Sequence, residues 1–313
     1  MKNVAITGVS GYLGTLLAKR IGQEDGVERV IGLDVKEPPF TFPKFTFIKH
    51  DVRQPFTQIF ADNKIDTAVH LAFIVVPVRD EKRARQINLE GTRNFLAAAG
   101  GANVPQVYYM GSHTEYGARK GNPALFTEDM PPNPNPDYPY PCDKTAADLM
   151  FQTFAKENPN TCVTIGRTVA VTGQCGEACG LTTLFLPVMV KIAGKNPLWQ
   201  FIHEEDLVEL IVLLLKNRKA GIFNLAGEGG VTYGDMIKDL GKPSISLPGW
   251  LLRGAINLTW KLRLQSKGSV GTLALLEYPI IISNEKMLKA TGYQMRYTGR
   301  EAWEAFVKVT GKK

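Results

Sequence analysis

Three glycines, Gly8, Gly11 and Gly14, restrict what this chain can fold into more tightly than any other feature of it. They stand between the apolar run 2–7 and the segment 11–22, in which Leu13, Leu16, Leu17 and Ile21 fall on one helical face. The first run reads as a buried strand and the second as its crossover helix. In the G-x-x-G-x-x-G spacing of Thr7-Gly8-Val9-Ser10-Gly11-Tyr12-Leu13-Gly14, the first glycine turns tightly and the second lets backbone approach a pyrophosphate. The last lets helix and strand pack closely. Amides at the helix N-terminus then face an anion. A glycine-rich turn without a ligand is the bland alternative. Asp34 weighs against it, because it ends the second predicted strand, 29–34, about 20 residues past Gly14, where a carboxylate meets an adenosine ribose. That carboxylate repels a 2′-phosphate and favours NAD over NADP, although Lys36 lies nearby.

Strand and helix patterns then alternate. Strands are predicted near 45–49, 67–72, 104–110 and 162–169, and helices near 55–62, 79–99 and 142–157. Parallel strands need such crossovers, so the fold class is α/β: a Rossmann-type doubly wound parallel sheet binding its ligand at the carboxyl ends of the strands. Asp51 and Val52, after the third strand, could cover the adenine edge, or Asp51 could cap a turn. The run Pro131-Pro132-Asn133-Pro134-Asn135-Pro136 is excluded from helix and central strand and reads as surface loop. Beyond residue 173 the pattern is less regular, with a helix predicted near 182–193, an apolar helix at 204–216, a strand at 221–225 and short helices to the end. We read 1–172 as the nucleotide-binding domain, to which 204–227 returns, and 173–313 mainly as a smaller C-terminal α/β substrate lobe.

Composition removes several classes. With 44% hydrophobic and 21% charged residues the chain is an ordinary globular sequence. No apolar stretch reaches the length of a spanning helix, and the first residues lead into a strand and glycines rather than a signal peptide, so a cytoplasmic protein is expected. The net charge of +7 is a weak hint of anionic partners, and the run Lys82-Arg83-Ala84-Arg85 reads as a solvated helix face rather than a nucleic-acid site. Cys175 and Cys179 lack a histidine or second cysteine pair at zinc spacing, so no metal is expected.

The chemistry is expected at Tyr140 and Lys144. On a helix, Y-x-x-x-K puts phenol and ammonium one turn apart on one face, where the ammonium can lower the phenol pKa toward the working range. Pro141 suits the first turn and places Tyr140 at the helix mouth. Ser112 follows an apolar strand, and its hydroxyl can bond an oxygen on which charge develops, or it is a turn serine. His113 reads as a loop residue.

With these residues in place the chain resembles an extended short-chain dehydrogenase/reductase of the NAD-dependent epimerase/dehydratase family over about residues 1–230. The resemblance rests on Thr7-Gly8-x-x-Gly11-x-Leu13-Gly14, Asp66-x-x-Val69-His70-Leu71-Ala72, Asn88-x-x-Gly91-Thr92, Ser112-x-x-x-Tyr116-Gly117, Tyr140-x-x-x-Lys144, Arg167 and Phe201-Ile202-His203-x-x-Asp206-Leu207. It implies a catalytic triad of Ser112, Tyr140 and Lys144, with Lys144 also holding the nicotinamide ribose. It further implies that Leu71, Ala72 and Phe73 line the dinucleotide and that Asn88 and Val169 complete its pocket. A homodimer through the helices near 79–99 and 142–157 is implied as well.

Two departures narrow the substrate. The Asp-Glu pair by which the family's dehydratases resemble one another is matched here by His113 and Thr114, so 4,6-dehydration is not expected. The Asn and Arg by which its nucleotide-sugar epimerases hold a diphosphate are matched by Ala170 and Trp199, the latter four residues before His203. Thr114, Ala170, Trp199 and His203 are thus expected substrate contacts in a less anionic pocket, unless Lys191, Lys195 or Arg263 substitutes. The expected function is hydride transfer between NAD and a secondary alcohol or ketone. The alternatives are an epimerase, hence an isomerase, that reduces NAD only transiently, and a non-catalytic NAD-binding regulator. The aromatic, amphipathic segment 248–260 reads as a lid, a partner face or core packing.

Overall fold

In the computed structural model the described residues are 1–75, 78–175, 181–263 and 270–310. Seven strands form one parallel sheet: β1 (Asn3–Thr7), β2 (Arg29–Asp34), β3 (Phe45–Lys49), β4 (Thr67–His70), β5 (Gln106–Ser112), β6 (Cys162–Thr168) and β11 (Gly221–Leu225). Their order is β11-β6-β5-β4-β1-β2-β3, so the chain winds outward both ways from β1 and β4. The switch between these directions leaves a crevice at the carboxyl ends of β1 and β4. β1 ends at Thr7 and β4 at His70, paired in register, and the glycine loop and Leu71 follow from them.

Period-2 alternation divides the core. Val4 and Ile6 of β1 and Tyr108 and Met110 of β5 face α1 (Tyr12–Gly22) and α5 (Glu204–Lys216). Ala5, Val107 and Tyr109 face α2 (Thr57–Asp62), α3 (Glu81–Gly101) and α4 (Pro139–Glu157). α1 can lie so close to β1 because Gly14 has no Cβ; one there would stand 2.2 Å from the Gly8 carbonyl oxygen. Asp80 caps α3 by accepting from the Arg83 amide. His70, at the end of β4, is 1% exposed. Its Nε2 lies 3.1 Å from Thr92 Oγ1, which already donates to the Asn88 carbonyl; Nε2 therefore carries the proton, and Nδ1 accepts from Thr7 Oγ1 at 2.8 Å. Burial lowers this imidazole to about 3 and keeps it neutral, so it ties β1, β4 and α3 together without a charge.

The segment 204–227 returns to this sheet, with β11 parallel to β6 in register Gly221↔Thr164. The lobe is built from three two-stranded sheets: β7 (Ala170–Thr172) with β10 (Phe201–His203), β9 (Leu198–Trp199) with β12 (Val231–Thr232), and β8 (Met189–Ile192) with β13 (Ser244–Leu247). Helices α6 (Tyr233–Asp239), α7 (Gly249–Lys261), α8 (Ala274–Glu277) and α10 (Gly299–Thr310) complete it, while α9 (Glu285–Thr291) packs through Met287 on the main sheet's core beside α5 and β11. Its core joins Phe201, Tyr233 and Met236 to Trp303 and Phe306 of α10, and the Trp303 indole donates to Asp239 at 2.9 Å.

One expectation fails here. The helix predicted near 182–193 is a short 3-10 turn at Thr182–Phe185 followed by β8. Pro187 removes an amide donor, and Val190 and Ile192 suit a strand, which pairs with a segment more than fifty residues away that local periodicity cannot see. No described helix is long and apolar enough to cross a membrane.

Candidate active site

A cavity of about 380 Å³ opens at the crevice, bounded on one side by the glycine loop and on the other by the lobe. Gly8, Gly11, Tyr12, Leu13 and Gly14 line it, with Leu71 and Phe73 from the chain after β4. Gly8 needs its freedom twice over: its φ is +73°, and a Cβ there would meet the Ala72 amide at 2.7 Å. Gly11 is the N-cap of α1 without a side-chain cap, and the first turn holds no acidic residue, so the unpaired amides and the helix dipole are left to the cavity. The Tyr12 hydroxyl is buried without a hydrogen-bond partner among the described residues. A cradle without side chains, a free helix N-terminus and an orphaned hydroxyl are the features a dinucleotide pyrophosphate would use.

Asp34 sits beside this loop at the end of β2. Its carboxylate accepts from the Ser10 and Lys36 amides, both at 3.1 Å, and retains acceptor capacity for ribose hydroxyls. Other residues expected at the cofactor are occupied structurally. Asp51 is clamped by Arg53, whose guanidinium holds its carboxyl below the usual range. Val52 is buried under α3, against the place where Gly91 lacks a side chain. Asn88 accepts from the Ile74 amide at 2.8 Å and donates to Asp143 at 3.1 Å, so it braces the chain after β4 against α4 instead of lining the cavity.

Ser112, Tyr140 and Lys144 meet at the cavity wall. Ser112 is the last residue of β5 and also the cap of the 3-10 turn His113–Tyr116. Its amide donates to Glu115 Oε1 at 2.6 Å, and its hydroxyl accepts from the Thr114 amide at 3.2 Å and pairs with Thr114 Oγ1 at 2.8 Å. Ser112 is thus a turn-capping serine that also lines the cavity. Tyr140 lies inside the first turn of α4, since Tyr138 is the N-cap and Pro139 opens the helix. Lys144, one turn on, is 3% exposed; its ammonium donates to the Met110 carbonyl at 2.6 Å and lies 3.8 Å above the Phe73 ring.

The expected lowering of the phenol is not what these surroundings produce. Burial pushes Tyr140 up, and a hydrogen bond with Ser112 draws it partly back. Lys144 stands 6.0 Å from the Tyr140 ring and is itself brought down to about 7 by burial, against the Glu115 carboxylate, which raises it. Tyr116 is excluded as the proton donor: it is buried, donates to Asn224 at 2.9 Å and accepts from Arg167 at 3.0 Å. Arg167 is 1% exposed, pairs with Asp148 at 2.9 Å and supports the site from below.

Thr114, Ala170 and Trp199, expected as substrate contacts, and Val169, expected at the dinucleotide, all line the cavity. His203 does not: its Nδ1 accepts from the Glu205 amide as the cap of α5, and its ring stacks on Tyr297 at 3.8 Å, which corrects its reading as a substrate contact. Sequence reasoning missed His113. It lines the cavity, its Nδ1 donates to the Thr168 carbonyl at 3.1 Å, and burial lowers it to about 4, leaving a neutral ring with Nε2 free to accept. Its place beside Ser112 was the available signal. Tyr138, Gln200, Tyr233 and Tyr278 also line the wall unforeseen. Of the substitutes considered for a phosphate partner, Lys195 holds its ammonium 4.7 Å over the ring of Tyr278, a lining residue. Among the described lining residues Lys144 alone carries a formal charge. No cluster able to hold a metal occurs among the described residues, and Cys179 lies outside them.

Residues 4–226 match the NAD dependent epimerase/dehydratase family. An uncharacterized protein of Mycobacterium tuberculosis is 26% identical, with 99% of this chain and 84% of that protein aligned. Among solved structures, the dTDP-glucose 4,6-dehydratase of Bacillus anthracis in complex with NAD matches at 16% identity and TM-score 0.74, covering 99% of this chain and 96% of that one. The UDP-glucuronic acid 4-epimerase of Bacillus cereus in complex with NAD matches at 17% and 0.74, covering 98% of each. The fold is that of these enzymes, and the chain belongs to the NAD dependent epimerase/dehydratase family, whose cofactor, NAD, is also its own.

Proposed function

We propose that the protein is an oxidoreductase that moves hydride between NAD and a neutral, largely apolar secondary alcohol or ketone, with Ser112, Tyr140 and Lys144 as its catalytic residues. The observation that carries this reading is the cavity lining. The reacting residues stand at its inner wall, the expected diphosphate partners are Ala170 and Trp199, and Leu181, Leu198, Leu275 and Leu276 enclose the space toward the lobe. An anion entering there would shed its hydration without gaining a guanidinium.

When bound, NAD supplies the hydride acceptor or donor. The glycine loop and the N-terminus of α1 hold its pyrophosphate, Asp34 its adenosine ribose, and Leu71, Ala72, Phe73 and Val169 the faces of the dinucleotide. Tyr140 takes the proton from the substrate hydroxyl in oxidation and returns it in reduction. Its phenol, raised by burial, is a strong proton acceptor once deprotonated and a secure donor otherwise. The Ser112 hydroxyl, fixed by its cap, donates to the same substrate oxygen as charge develops on it. Lys144, in its protonated form, stabilises the phenolate and holds the nicotinamide ribose. A homodimer through α3 and α4 belongs to the same reading, and half-exposed Leu149 on α4 is available to it.

The second reading is a nucleotide-sugar 4-epimerase. It is favoured by the full-length likeness to the Bacillus cereus enzyme and by Lys195 behind Tyr278. Net change in nicotinamide absorbance separates the two, since only the oxidoreductase consumes cofactor. A panel of neutral secondary alcohols should reduce NAD in a Tyr140-dependent way. Interconversion of a UDP-sugar without net reduction would establish the epimerase instead.

A further inference from the structure

Helix α7 leaves its apolar side uncovered. Only Leu252 of the helix is buried, whereas Trp250 is 76% exposed and both Leu258 and the adjacent Leu262 are 58% exposed. Of the thirteen large hydrophobic residues exposed among the described residues, eight fall between Leu186 and Leu262. Seven of them, all but the cavity-lining Leu198, follow one another along connected elements. Leu186 and Val188 lead into β8, β8 pairs with β13, which carries exposed Ile245, and β13 runs through Pro248 into α7. Apolar side chains gathered in this way mark a surface that meets something.

The charge says what it meets. Of the chain's 37 basic and 30 acidic residues, seven basic and no acidic ones fall in 178–203 and 240–276, so the remainder is balanced at 30 of each and these stretches hold the whole net charge. Lys261 and Arg263 are exposed at the end of α7, beside Leu258 and Leu262. Tryptophans stand at both ends of the helix, and the Arg79 guanidinium lies 5.3 Å over the Trp260 ring. Leucines and tryptophans on a helix whose charged residues are all basic have the composition of a segment lying in the headgroup plane of an anionic bilayer. A second copy of the chain is a poorer occupant. A twofold contact here would bring Lys261 and Arg263 of the two copies together, and nearby Asp137 is already paired with Arg253.

We propose that α7 and the neighbouring β8–β13 edge seat the protein peripherally on an anionic membrane surface. The seat borders the cavity. Leu275, Leu276 and Tyr278, shortly after α7, line it, and Gly271 packs so closely on Tyr138 that an added Cβ would stand 2.5 Å from the tyrosine Cβ. A substrate dissolved in the bilayer would therefore reach the catalytic wall by a short apolar path. The seat itself does not rest on the proposed reaction, and binding is read without turnover.

The test is co-sedimentation of the full chain with vesicles of phosphatidylcholine containing about a third phosphatidylglycerol, against phosphatidylcholine alone, at low and high salt. Binding to the anionic vesicles, reversed by salt and accompanied by a blue shift of tryptophan emission, is expected. Trp250→Ser and Leu258→Ser should each weaken it about tenfold or more. Lys261→Gln with Arg263→Gln should weaken it by about one to two orders of magnitude. All variants should keep NAD binding, which separates loss of the seat from loss of the fold. Absence of binding to anionic vesicles would overturn the proposal, and so would binding that these variants leave unchanged. A dimer in sedimentation velocity that Leu258→Ser dissolves would overturn it too, because the face would then belong to a second copy.

Discussion

The sheet and the lobe face each other across one cavity but are built on different terms. On the sheet side several polar groups near the chemistry are held by named partners: Ser112 by its cap, Asn88 by Ile74 and Asp143, Arg167 by Asp148 and Tyr116, His70 by two threonines; the Tyr12 and Thr145 hydroxyls and Glu115 Oε2 are buried without a hydrogen-bond partner among the described residues. The lobe side offers aromatic and aliphatic walls on three two-stranded sheets and leaves a helix half uncovered. Rigid, satisfied networks hold reacting groups to fractions of an ångström, as hydride and proton transfer require. Loosely partnered apolar surface sets which molecule enters. On the proposed reading the reaction is a property of the sheet and the substrate a property of the lobe.

The widest gap between the two sides should appear on replacing Tyr140. Tyr140→Phe removes the proton carrier and should lower turnover by about 10² to 10⁴. NAD affinity by fluorescence titration should be little changed, because the glycine cradle and Asp34 are untouched. Near-normal turnover would show the Y-x-x-x-K match to be accidental. Next comes the buried support: Arg167→Met strands Asp148 and Glu115 inside the core and should cost about 3–5 kcal/mol in urea unfolding. Half-exposed Arg253 on α7, an ion-pair partner of Asp137 at 3.6 Å, should cost under about 1 kcal/mol when replaced by Gln. Equal costs would erase the contrast between the two regions.

Smaller effects sharpen the cofactor side. Asp34→Ala should weaken NAD by about tenfold while leaving NADP unchanged or improved, since the carboxylate repels a 2′-phosphate. Tighter binding of NADP than of NAD by the unaltered protein would remove Asp34 from its role. Lys144, brought to about 7 by burial, loses its proton as pH rises through that value, so its hold on the ribose is present below it and fades above it. NAD affinity should fall severalfold across that range and stay flat for Lys144→Arg, whose guanidinium does not titrate there. A falling limb that survives in Lys144→Arg belongs to another group.

The same division governs what can be read from the sequence. The G-x-x-G-x-x-G turn, Asp34 and the Y-x-x-x-K pair are legible because their chemistry lies in local spacing, and strand and helix periods identify the elements that carry them. What stays hidden is contact across sequence distance. β8 pairs with β13, His203 is taken up by Tyr297, and Asn88 by Ile74 and Asp143; none leaves a periodic trace. His113 reads from the sequence as a loop residue, and only the packing of the turn after β5 puts it on the cavity wall. The raised phenol of Tyr140 was equally out of reach, since burial, not spacing, sets it.

The measurement that bears most directly on the division between sheet and lobe is calorimetry of UDP and UDP-glucose with NAD bound. Two missing charge-assisted contacts, each normally about 1.5–3 kcal/mol, should leave both ligands at least a hundredfold weaker than a built diphosphate site would hold them. Trp199→Arg should restore part of the affinity. Heat too small to fit at micromolar ligand is the expected result. Micromolar binding of UDP by the unaltered protein would contradict it, identify Lys195 or another base as the phosphate partner, and put the epimerase reading first.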